Sequence, residues 1–149
     1  MPAFTGKEIM VEFAIAPETA LVGSLIWRTL GMMRSKDLAT KWDTADTTAD
    51  MSPEFTKTSL VTFKSVDFTG DGVTYTDDMY NQRDFSIAAR TVASVKKDSA
   101  KVWLRITTPN MMFTGPFIVS EYTDAMPYDG TCTWSMTANS NGAVTLAPI

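Results

Sequence analysis

The residue types that most often do chemistry are sparse in this sequence and poorly spaced. Histidine is absent from its 149 residues, which removes the side chain most used for proton transfer near neutral pH and the commonest metal ligand. Asp67-Phe68-Thr69-Gly70-Asp71-Gly72-Val73 resembles the opening of a calcium loop. A working loop needs oxygen ligands at further set positions and a closing bidentate glutamate, which is missing, so a strand-ending turn is the better reading. Asp77 and Asp78 are adjacent, and neighbours on an extended chain point to opposite faces, so they read as a solvated loop rather than an acid–base pair. Cys132 is the single cysteine and has no partner for an internal disulfide. Alternation with Trp134, Met136 and Ala138 places it on an inward-facing set, as a small core hydrophobe rather than a nucleophile. No glycine-rich phosphate loop, serine elbow or zinc spacing is present. Neither an enzyme nor a metal or cofactor is expected.

The elements that position these residues are mostly strands, signalled by alternating apolar and polar residues. The alternation is clearest in residues 131–138, where Thr131, Thr133, Ser135 and Thr137 oppose the inward set. Residues 101–107 repeat it, with Val102, Leu104 and Ile106 opposite Trp103 and Arg105. So do Ile9, Val11, Phe13 and Ile15 near the start. Further strands are expected over 24–32, 58–69, 117–123 and 143–147. In 58–69 the apolar face changes phase between Phe63 and Val66, as a bulge would cause. Turn signals stand at Gly70-Asp71-Gly72, Gly115-Pro116, Tyr128-Asp129-Gly130 and Asn139-Ser140-Asn141-Gly142, the last reading as a hairpin. One segment has helical spacing: residues 84–97, with Phe85, Ala88, Ala89, Val92 and Val95 on one face. Asp84 is its expected N-cap, with Lys96 and Lys97 at its C-terminal end. The expected fold is a single mainly β domain over 1–149, a β-sandwich or rolled antiparallel sheet with one flanking helix.

The chain suits one domain with one core. Its net charge of -4 argues against a surface that grips nucleic-acid phosphates. Lys7 and Glu8 interrupt the N-terminus and no apolar segment follows, so no signal peptide is expected. No stretch approaches the ~18 consecutive apolar residues of a membrane helix. Residues 43–57 (DTADTTADMSPEFTK) have no period of their own, and a structureless stretch of about fifteen residues inside a compact domain is usually functional or disordered. Its acidic part holds Asp43, Thr44, Asp46, Thr47 and Asp50, while Met51, Pro53, Glu54 and Phe55 invite docking, on this domain or on a neighbouring subunit. Met32-Met33 and Met111-Met112-Phe113 add apolar clusters where a loop should be polar, which favours self-association.

The order of these pieces resembles the major tail tube proteins of bacteriophages with long non-contractile tails. The resemblance is carried by Ser35-Lys36-Asp37-Leu38, then Trp42-Asp43-Thr44-Ala45-Asp46-Thr47-Thr48, then Pro53-Glu54-Phe55-Thr56, and the strand closing in Thr69-Gly70-Asp71-Gly72. It continues through the helix, Trp103-Leu104-Arg105-Ile106, the run from Phe113 to Ser120, the run from Pro127 to Met136, and the closing Asn141-Gly142. It covers about three quarters of the chain, and the order is more telling than any one motif. An appended immunoglobulin-like domain, which some members carry, is not expected.

The resemblance implies a virion protein, made in the host cytoplasm, that joins five copies of itself in a hexameric ring. Rings stack around a tape-measure protein between tail tip and tail terminator proteins, and DNA passes through the lumen during ejection. The loop at 43–57 would reach an adjacent subunit or ring. An acidic lumen would repel phosphate and keep DNA moving, with Asp67, Asp71, Glu121 and Asp124 as candidates. Alternatives are a related tube or connector protein, such as a tail terminator or a secretion-system tube. A monomeric acidic carbohydrate-binding β-sandwich presenting Trp27, Trp42 or Trp103 is the alternative from another class.

Overall fold

The structure, a computed structural model, describes residues 3, 5–31, 33–46, 59–74 and 81–149. Its elements run β1 (Met10–Ala14), β2 (Arg28–Thr29), β3 (Met33–Asp46), β4 (Ser59–Val73), α1 (Gln82–Arg90), β5 (Lys101–Thr107), β6 (Met111–Ala125), β7 (Thr133–Ser140) and β8 (Thr145–Pro148). The strands form one antiparallel sheet in the order β2-β1-β5-β6-β7-β4-β3, and β8 pairs with β6. Among the described residues the fold is mainly β with one α-helix, as expected, and of the two expected arrangements, sandwich or rolled sheet, it takes the rolled antiparallel sheet.

The roll follows from where the apolar residues sit. Val11 and Phe13 of β1, Val102, Leu104 and Ile106 of β5, Phe117 and Val119 of β6, Trp134, Met136 and Ala138 of β7, and Val66 and Phe68 of β4 are all buried in one cluster. A flat sheet could not bring β1 and β4 side chains together, so the sheet curls to bury its inner face upon itself. Phe85 of α1 joins the cluster and meets Phe13 edge-on, 5.2 Å between centroids. Where the two margins of the roll approach, Lys36 Nζ of β3 donates to the carbonyls of Gly6 and Ile9, each at 3.1 Å. Burial there pulls the Lys36 pKa below its ordinary value.

The outer face of β1 and β5 is covered by the chain's own N-terminal segment. Trp103 is buried, and its indole N–H donates to the Pro17 carbonyl at 2.9 Å. Arg105 pairs with Glu12 at 2.7 Å and lies 4.6 Å over the Trp27 ring.

Several local signals are overridden by packing. Gly70-Asp71-Gly72 is not a turn but lies inside β4, paired with β3 on one side and β7 on the other. A Cβ on Gly70 would fall 2.2 Å from Met33 Cε and 3.3 Å from the Ser35 carbonyl, so the residue is small because neighbours approach closely. Gly115-Pro116 likewise lies inside β6. Pro116 sits at the gap between the stretches of β6 that pair with β7 and β8, where the ladder has no use for its missing N–H; its carbonyl accepts the Asn141 N–H at 2.9 Å. The expected closing hairpin is absent for the same reason. After residues 141–144, β8 continues in the direction of β7 along the same side of β6.

Other boundaries also move. The strand expected at 24–32 reduces to a 3-10 turn (Val22–Ser24) and the two-residue β2. The helix expected over 84–97 is Gln82–Arg90, and Val92 and Val95 lie exposed beyond it. Asn81, with φ of 60°, precedes it, while Asp84 sits in its first turn and pairs with Arg28 at 2.6 Å. Cys132 is exposed, because β7 begins one residue later. The bulge expected between Phe63 and Val66 lies earlier, at 61–64 opposite residues 42–44, and pairing over 64–66 is regular.

Gly115→Ala checks the break between β7 and β8. Its Cβ would lie 2.8 Å from Val144 Cα, and overpacking against backbone costs about 1–3 kcal/mol. Urea denaturation should show a loss of that size, whereas Gly23→Ala, which has open space around it, should cost little.

Candidate functional site

Three surfaces stand out. The first is the lower half of β3 and β4. These strands pair along their full length, but β7 covers only residues 67–73 of β4. Residues 59–66 therefore have β3 as their sole strand neighbour among the described residues, and with β3 they form a two-stranded ribbon. Trp42, Leu60, Val61 and Phe63 are exposed on it, Phe63 by 74%. Lys64 lies 5.7 Å over the Trp42 ring, and the Thr62 hydroxyl donates to the Asp43 carbonyl at 3.0 Å across the bulge. Two paired strands without a covered face are at best marginally stable in water.

This ribbon corrects the expected loop. Asp43, Thr44 and Asp46 belong to β3, with Thr44 opposite Val61 and Asp46 opposite Ser59. Backbone pairing to β4 makes them a strand although neither face carries an apolar pattern. Thr47, Asp50, Met51, Pro53, Glu54 and Phe55 lie outside the described residues, as does Met32.

The second surface is the sheet face opposite the core on β3, β4, β7 and upper β6. Cross-strand register aligns Asp37, Thr69, Thr137 and Glu121 in one row, and Ser35, Asp71, Ser135 and Thr123 in the next. Asp67 lies on the same face, opposite Asn139. Asp71 accepts the Ser35 N–H at 3.0 Å and pairs with Arg34 at 3.3 Å; Asp67 pairs with Lys41 at 3.3 Å. Four carboxylates therefore face two cations. Asp124 does not join them. A register shift at Ser120 turns Tyr122 and Asp124 to the other face, where Asp124 pairs with Arg90 of α1, and Arg90 covers the Tyr122 ring at 4.7 Å. Asp37 was missed among the candidate acids; it becomes legible once β3 is known to be a strand, because it alternates with Lys36 and Leu38.

The third surface is an apolar groove of about 480 Å³ between α1 and the ends of β1 and β5, lined by Ile15, Ile87, Ala88 and Ala93. Its ions are paired at the rim: Arg28 with Asp84, and Lys101 with Glu18 at 2.5 Å. The hydrogen bond that Lys101 donates to the Glu18 carboxylate lowers the Glu18 pKa and raises the Lys101 pKa.

The expected apolar interface set does not form one surface. Met33 and Phe113 pack on the core, and Met111 and Met112 lie within β6, opposite Pro148 and Ala147 of β8, rather than in a loop. Of the tryptophans proposed for sugar stacking, Trp103 is buried and Trp27 lies under Arg105, which leaves Trp42. No group of three acidic or cysteine side chains that could hold a metal ion occurs among the described residues. The exposed apolar side chains of the first and third surfaces are of the kind that favour association.

Known proteins agree with that direction. In fold the chain is similar to the tail of an empty gene transfer agent particle, refined helically with C6 symmetry (TM-score 0.72, 19% identity, covering 97% of this chain and 99% of that one). It is also similar to the SPP1 tail tube (TM-score 0.65, 10% identity, 99% and 80%). A third likeness is to a chain of the extended sheath–tube complex of an extracellular contractile injection system (TM-score 0.60, 9% identity, 99% and 93%). No curated protein matches it in sequence. The fold is thus one found in tail tubes and injection-system tube complexes. The chain itself belongs to the phage tail tube protein family, whose model matches residues 3–146; it is a structural protein of the phage tail.

Because residues 59–64 of the ribbon are all exposed, Phe63→Ser should leave the unassembled protein's stability within about 0.5 kcal/mol of wild type. Thermal melting of dilute protein checks this; a large loss would mean that Phe63 packs within its own copy.

Proposed function

We propose that this protein is the major tail tube subunit of a long non-contractile phage tail. Six copies close into a ring, rings stack, and the lumen conducts the genome during ejection. The observation that carries this reading is the ribbon, a strand pair extended past the rest of its sheet with large apolar side chains bare in a single copy. Such an edge invites pairing and burial by another chain. Family membership and the sixfold symmetry of the gene transfer agent tail support the ring. The tube would enclose a tape-measure protein and meet tail tip and terminator proteins at its ends. Copies would be made in the host cytoplasm before entering the virion. Residues 47–58, which join the two ribbon strands, would extend the contact to an adjacent subunit or ring.

The lumen in this reading is the face bearing Asp37, Asp67, Asp71 and Glu121; Asp124 is left out of it. At physiological ionic strength charges act over roughly 8 Å, so carboxylates on the channel wall affect DNA that nearly touches them. Hydroxyls between them hydrate the wall without offering cations to phosphate.

Size-exclusion light scattering with negative-stain electron microscopy tests the assembly. Rings or hollow tubes are expected; a ring that never grows would indicate a terminator, and a monomer that persists with tail-tip components would contradict the reading. For the lumen, Asp37→Lys with Glu121→Lys should leave tubes intact and slow DNA ejection. Unchanged ejection would remove this face from the channel.

A further inference from the structure

The groove and the ribbon lie at opposite ends of the rolled sheet. Every neighbouring pair from β1 through β5, β6, β7 and β4 to β3 is antiparallel, so β1 and β3 run in opposite directions. The Lys36 bond to the Ile9 carbonyl at 3.1 Å sets early β3 level with the start of β1. From that level β1 climbs to Ala14 and the groove at Ile15, while β3 descends to Asp46 and the ribbon. One copy therefore carries an apolar recess at one end and an apolar projection at the other, and cannot bring the two together.

The recess suits an apolar occupant. Lys101 is shared between Glu18 at 2.5 Å and Asp98 at 3.6 Å, and Arg28 holds Asp84 at 2.6 Å. An ionic ligand would have to compete with these pairs, whereas an apolar side chain needs only to displace water from Ile15 and Ile87, both more than half exposed. Leu60, Val61 and Phe63 on the ribbon are side chains of that kind, and they too are more than half exposed.

We propose that the groove of one copy receives the ribbon of the next copy along the tube axis. This rests on the tube-subunit reading above and names the residues that join successive copies. The contact is head to tail, between two different patches, so each addition leaves a free groove at one end and a free ribbon at the other. A contact of that type propagates rather than closes, and it gives the tube a polarity.

The test uses the full chain with Cys132→Ser, since the native thiol is exposed. Copies carrying Phe63→Cys are mixed with copies carrying Ile87→Cys, assembled, and treated with a short bismaleimide; Ile87→Asp is assayed alongside. A covalent dimer should form in the assembled mixture and in neither variant alone. Ile87→Asp should keep the wild-type melting curve and reduce assembly by about tenfold or more, as expected for losing a buried aliphatic contact. Tubes that form without the cross-link and tolerate Ile87→Asp would overturn this contact while leaving the tube reading intact. A wild-type chain that never associates would overturn both.

Discussion

The constraint on which the structure turns is the unequal cover along β4. This strand runs 15 residues, β3 follows it throughout, and β7 follows only 67–73. Where both neighbours are present, Phe68 reaches the core and Gly70 and Gly72 are buried beside it, and Val66, one residue before β7 begins, is buried with them. Over residues 59–64, where β7 is missing, side chains on both faces stay in water. Hydrophobic burial is roughly proportional to area removed from water, so the covered half stabilises the fold, and in the proposed assembly the bare half gains its stabilisation from another copy. On that reading the same strand divides folding from assembly.

The two faces of the sheet divide labour in a similar way. The inner face is apolar and closes on itself and on Phe85. The outer face is treated differently at its two ends: over β1 and β5 the N-terminal segment covers it through Trp27 and Pro17, whereas over β3, β4 and β7 it is left open, lined by Asp, Thr and Ser. The bulge at Ser120 lets β6 serve both arrangements. One extra residue moves Glu121 onto the open polar face and sends Tyr122 and Asp124 toward the helix.

Much of this was legible in the sequence where a strand has one wet and one dry face. Residues 101–107 alternate cleanly because β5 is covered differently on its two sides, and its bounds match the observed strand. The inward set of β7 was equally clear, apart from Cys132, which lies just before the strand begins. β3 was hard to see because its lower half buries neither face and so leaves no periodic pattern; its residues look like loop and are held by pairing alone. Glycine misled for a related reason. In Gly70 and Gly115 it serves close approach between neighbours, and a single sequence cannot tell that need from a turn. The acidic face was partly visible, but assigning Asp124 required knowing the bulge, which shifts every later residue of β6 by one face.

Amide hydrogen exchange, compared between dilute monomer and assembled protein, tests the central claim most directly, because one strand contains both regimes. Backbone amides of residues 67–73 should be protected in both states, while those of 59–64 should exchange quickly in the monomer and slow by orders of magnitude on assembly. Strong protection of 59–64 in the monomer, or no change on assembly, would contradict the view that another copy completes this strand pair.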